Sequence, residues 1–253
     1  MHLVLVPGLW LPGASWGRVV PLLEAAGHTV HPVTPPGMGS RRLDRSRIGL
    51  RDQVTDLLAL VDSLAGPGAA APEPVVLVGH AEGGALVHAA VDARPRLVRR
   101  AVHVSGTPRS DGHRGPDLPV VDGEVPMPEW WELDEPFTRG LDDVTRAAIR
   151  AMAVPSPAGV LTEPQRLHDS DRLRVPTTVV ACARSSTELR RDLMRARPGS
   201  DELALLDDLT WVDLPSSHWP HLTHPAELAR VLLEAAAAPA ADRREGLAVG
   251  RTG

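Results

Sequence analysis

Residues 75–84 read Val-Val-Leu-Val-Gly-His-Ala-Glu-Gly-Gly, an apolar, β-branched run that ends in small residues and opens directly into a helical pattern. A buried strand that must become a helix within three residues can do so only through a sharp turn. Position 81 is therefore expected on strained backbone at the carboxyl edge of a sheet. Gly79 and Gly83 suit that geometry, because side chains there would collide with the neighbouring strand and helix. Taken alone, the run also fits a tight strand-to-helix turn whose glycines serve packing only.

The rest of the chain repeats the alternation. Apolar runs place strands at His2–Val6, His28–Val33, Val75–Gly79, Val98–Ser105, Thr177–Cys182 and Thr210–Leu214. Helical periodicity places helices at Trp16–Ala26, Leu50–Ala65, Gly83–Arg94, Ser186–Arg197 and Pro225–Ala237. This order predicts an α/β fold, a mostly parallel six-stranded sheet with helices on both faces. The 253 residues suffice for one such domain with an insertion. Residues 1–107 and 173–238 form the expected core. Residues 108–172, rich in proline and acidic residues and carrying Trp130 and Trp131, break the rhythm and are expected to form an inserted lid, helical only around Leu141–Met152. Residues 239–253 have no apolar period and are expected to be disordered.

A second segment, Val212-Asp-Leu-Pro-Ser-Ser-His-Trp-Pro-His221, runs from a strand into a loop that precedes the final helix. His218 is the expected general base there. His221 and His224 read as solvated or lid contacts, His88 as a helix-face residue, and His80 as packing beneath the turn at 81.

The segments Val4-Leu-Val-Pro-Gly-Leu-Trp10, Gly79-His-Ala-Glu-Gly-Gly84 and Ser217-His-Trp-Pro-His-Leu-Thr-His-Pro225 resemble α/β hydrolases of the bacterial esterase and hydroxynitrile-lyase-like type. That resemblance implies a nucleophile, an acid and a histidine in chain order, acting on esters, lactones or similar carbonyl substrates. It makes Gly79–Gly83 a nucleophile elbow and gives oxyanion-hole N–H groups to Leu9 and Glu82. Ala81 stands where such families keep serine. The acid has two candidates, Glu188 after the strand ending at Cys182 and Asp111 after the preceding strand, which ends at Ser105; Asp111 is preferred. The resemblance also suggests a pocket lined by Trp10, His80, Trp130, Trp131 and Trp219.

Alanine has no hydroxyl, so the chain is expected to be hydrolytically inactive or crippled. Three readings follow: an engineered Ser→Ala change, a natural non-hydrolytic enzyme (lyase, cyclase or cofactor-free catalyst) using His218 as base, or a ligand-binding protein on the same fold.

The formal charge of -5 excludes a basic field for nucleic acid or anionic membranes. The single Cys182 excludes an internal disulfide, and no apolar stretch suits a bilayer span. The chain lacks Lys, Asn and Tyr, a bias that fits GC-rich codons. No cofactor or metal is expected, since His218, His221 and His224 lack a zinc-type spacing, and Gly37 and Gly39 are not followed by a phosphate-loop lysine. The expected partner is a small apolar or aromatic molecule. A monomer or homodimer in the cytoplasm completes the expectation.

Overall fold

The computed structural model of the chain describes residues 1–65, 67–68, 73–195 and 201–239. Six strands, β1 (His2–Val6), β2 (Thr29–Pro32), β3 (Val75–His80), β4 (Val98–Val104), β5 (Thr177–Ala181) and β6 (Leu209–Asp213), form one sheet in the order β2-β1-β3-β4-β5-β6. Every neighbouring pair is parallel. Six helices flank or cap it: α1 (Val20–Ala25), α2 (Leu50–Ala65), α3 (Gly83–Ala93), α4 (Asp143–Met152), α5 (Ser186–Met194) and α6 (Pro225–Ala237). The α/β class and the six-stranded parallel sheet agree with the sequence reading.

Burial on both faces explains why the strands read as unbroken apolar runs. Along β1, Leu3 and Leu5 enter a core shared with Trp16, Leu228 and Leu232, while Val4 and Val6 enter another with Leu57, Val61, Leu86 and Val91. The first face is thus closed by α1 and α6, the second by α2 and α3. Because the chain steps outward from β1 to β2 and then returns to β3, the carboxyl ends of β1 and β3 lie side by side where the winding reverses. Crevices at that point are where open α/β sheets bind ligands.

Two helices differ from expectation. The segment 16–26 is a 3₁₀ turn (Gly13–Arg18) followed by the short α1. Pro21 sits in the first turn of α1 and lacks the N–H a longer helix would need there. Helix α5 ends at Met194, and positions 196–197 of the expected helix lie outside the described residues, as do 240–253 of the expected tail.

The segment 108–172 carries α4 and a two-residue antiparallel pairing of Glu124–Val125 with Ser156–Pro157. A third apolar cluster anchors it to the sheet's carboxyl edge: Leu141 and Ile149 pack with Leu11 from the loop after β1 and with Trp219 and Leu222 from the loop after β6. Among the described residues, no helix is long and apolar enough to cross a membrane.

Candidate active site

Strand β3 ends at His80 and α3 begins at Gly83, so the chain reverses within two residues. Ala81 takes φ 45°, a left-handed conformation that costs a non-glycine residue roughly 1–2 kcal/mol. Hydrogen bonds hold the strain: Ala81 N–H donates to Val104 O at 2.9 Å, and Gly84 N–H donates to Ala81 O at 3.0 Å. The register Val6↔Gly79 between β1 and β3 then brings the loop after β1 against this turn. A Cβ at Gly83 would lie 2.4 Å from Pro7 O, and one at Gly8 would lie 2.9 Å from His80 Nδ1. Both glycines are needed because two backbone segments approach too closely for side chains.

The backbone N–H groups of Leu9 and Glu82 have no hydrogen-bond partner among the described residues. Both residues line a small cavity of about 20 Å³ that also touches Gly8 and Gly83. A larger cavity of about 240 Å³ is bounded by Ala81, Glu82, Thr107, Arg109 and Arg114.

His218 follows β6 on a loop and is half-buried. Its Nδ1 lies 2.9 Å from Ser105 Oγ. Ser105 is the residue after β4, takes φ 54°, and donates its own N–H to Val180 O at 2.9 Å. Neither expected acid is near. Asp111 accepts a hydrogen bond from Leu167 N–H at 2.9 Å, tying the beginning of the segment 108–172 to its end. Glu188 caps α5, exchanging hydrogen bonds with Ser185 in a reciprocal capping box. The Ser-x-x-Glu pattern that signals such a box is present in the sequence and accounts for Glu188 fully.

Burial, with a smaller contribution from His80, pushes the His218 imidazole well below its ordinary range. Burial likewise drives His80 down to about 4, opposed by its bond to the His218 carbonyl. Both shifts favour the neutral imidazole. His80 is 1 % exposed and donates Nε2–H to His218 O at 2.8 Å, so it lies beneath the turn and braces the histidine loop instead of lining a pocket. His221 is fully buried against Trp16 and His80, not solvated, and His88 is buried against Glu202, at 2.9 Å, instead of lying on an open helix face.

The expected aromatic pocket is also rearranged. Trp219 and Phe137 stand beside the His218 ring, at centroid distances of 5.0 and 4.5 Å. Trp10 is buried, donating its indole N–H to Val125 O at 3.1 Å and its backbone N–H to Ser156 Oγ at 2.9 Å. It therefore pins the loop after β1 to the segment 108–172. Trp130 packs edge-on against Trp219 beneath Arg146 and Arg150, whereas Trp131 is 81 % exposed and faces solvent. No group of three or more His, Cys, Asp or Glu among the described residues could hold a metal ion.

Over 106 residues the chain is 37% identical to salicylic acid-binding protein 2 of Nicotiana tabacum, covering 41% of this chain and 38% of that protein. Over 114 residues it is 34% identical to polyneuridine aldehyde esterase of Rauvolfia serpentina, covering 44% and 41% respectively. The chain thus matches only about two fifths of the length of these curated relatives. The crystal structure of a methylesterase protein, MES16 from Arabidopsis, superposes with a TM-score of 0.70 at 21% identity, covering 93% of this chain and 98% of that one, which shows the shared fold. The model of the alpha/beta hydrolase family matches residues 3–231, from β1 into α6, and the chain belongs to that family.

Proposed function

We propose that this chain binds a small ester, lactone or related carbonyl compound over Ala81 and forms no acyl-enzyme there. A double departure carries the reading: Ala81 brings no hydroxyl to the turn, and His218 leans on Ser105 Oγ where a carboxylate would be needed to balance an imidazolium. The remaining parts suit carbonyl recognition. The free N–H groups of Leu9 and Glu82 are donors for a carbonyl oxygen, and the segment 108–172 serves as a lid that brings Phe137 over His218. Relatives named as esterases supply the substrate class.

An aryl-ester and lactone panel run on the chain and on Ala81→Ser tests this. Hydrolysis is expected in Ala81→Ser alone, at least about a hundredfold above the chain itself, because a hydroxyl at 81 reopens the covalent route. Silence in both overturns the reading. A non-covalent reaction with His218 as base is the second reading, favoured by its Nε2, which has no hydrogen-bond partner among the described residues while Nδ1 is held by Ser105. In that case the present chain, not the serine variant, carries the turnover.

A further inference from the structure

We infer that the cavity beside Ala81 takes a carboxylate, so that the carbonyl compounds of this site carry an acid group, as oxo acids or half-esters do. The inference rests on the carbonyl-binding reading above and narrows its substrate class from apolar to anionic.

The cavity of about 240 Å³ is bordered by two guanidinium groups and one carboxylate, those of Arg109, Arg114 and Glu82. Arg109 is 8 % exposed in its side chain and donates from Nη2 to the Glu82 carboxylate, with Nη1 against Val160 O at 3.5 Å. The loop is built around that group: a Cβ at Gly115 would lie 3.0 Å from Arg109 Nη2 and 2.4 Å from Leu161 Cδ2. Glu82 is thereby neutralised within the protein. Arg114 is exposed, lines the same cavity, and has no hydrogen-bond or ion-pair partner among the described residues. Asp111 and Asp117 both lie three positions from Arg114; Asp111 is turned away to Leu167 N–H, and Asp117 makes no ion pair with Arg114 among the described residues.

One cation is therefore left over at the cavity, and the amino end of α3 at Glu82 adds partial positive charge in the same place. The lining of this cavity carries no aromatic side chain; of the tryptophans expected in an apolar pocket, Trp131 is in solvent and Trp10 and Trp130 are held in packing. A neutral ester leaves Arg114 with water. A carboxylate on the substrate gives it a charge-assisted pair while the carbonyl lies over Ala81.

Calorimetric titration of the full chain with benzoylformate and with its methyl ester decides the matter. The acid is expected to bind about tenfold more tightly than the ester at low salt, with the preference shrinking when salt is raised to about 0.5 M. Arg114→Gln should bring the preference close to one, Arg114→Lys should keep most of it, and Arg114→Glu should reverse it. Because Arg114 is exposed and unpartnered, these variants fold. Equal binding of acid and ester, or a preference untouched by Arg114→Gln and Arg114→Glu, overturns the inference. If Ala81→Ser hydrolyses neutral esters while no acid preference is found, only this inference falls. If that variant is silent and neither compound binds, the carbonyl-site reading falls with it.

Discussion

Ala81→Ser combined with Ser105→Asp is expected to hydrolyse aryl esters on the order of a hundredfold faster than Ala81→Ser alone. The reason is charge. A serine at 81 gives up its proton to His218 as it attacks, and the resulting imidazolium needs an anion on its far nitrogen. Ser105 Oγ occupies that place, 2.9 Å from Nδ1, and a neutral hydroxyl cannot balance the charge. Burial already holds the His218 imidazole well below its ordinary range, which makes proton uptake costly. Aspartate fits the backbone at 105, since φ 54° is a conformation that Asp tolerates better than most residues. The carboxylate should also raise the His218 titration midpoint, which NMR reads independently of turnover. A double variant no faster than the single one would show that His218 does not act through this pair.

Glu202→Gln is expected to cost about 3 kcal/mol of stability at neutral pH, without touching the elbow. Glu202 is 2 % exposed and lies behind α3, accepting a hydrogen bond from His88 Nε2 at 2.9 Å and one from Arg172 Nε at 2.7 Å. Burial pushes its carboxyl up, but the bonds from His88 and Arg172 outweigh that and bring it down to about 2. A folded-state value below the ordinary one means that the carboxylate stabilises the fold fully above about 4.5 and loses that contribution as pH falls toward 2. Glutamine keeps the shape and removes the charge, leaving the Arg172 guanidinium one longer ion pair, to Asp92 at 3.4 Å, beside its hydrogen bond to Asp169 O at 3.0 Å. Urea unfolding of both proteins should therefore show a gap that is wide at pH ~7 and narrows at pH ~3. A gap independent of pH would contradict the assignment.

How far the sequence carried these conclusions depended on what sets each feature. The strands were legible because both sheet faces are buried and the runs are apolar throughout; α2 and α6 were legible because each buries one stripe. The division of the segment 16–26 turns on Pro21, a local signal that helical periodicity alone overrides. Position 81 and the loop at Gly8 could be paired because β1 and β3 are neighbours by register. The partner of His218 could not, since Ser105 meets it only through the tertiary approach of β4 and the loop after β6. Expecting a carboxylate there led to Asp111 and Glu188, although the capping pattern at Ser185 already assigns the second. Trp130 and Trp131 are adjacent on irregular backbone, where no periodicity tells which ring turns inward.

The central claim is that the turn at position 81 is an attack site closed to acylation by its missing hydroxyl, with Ser105 in the acid's place limiting only the rate once a hydroxyl is restored. Intact-protein and peptide mass spectrometry after exposure to p-nitrophenyl acetate tests it most directly. The account predicts no acetyl adduct at 81 in the chain itself and a single acetyl adduct mapping to position 81 in Ala81→Ser. An unlabelled Ala81→Ser, or an adduct in that variant that maps elsewhere, would contradict it.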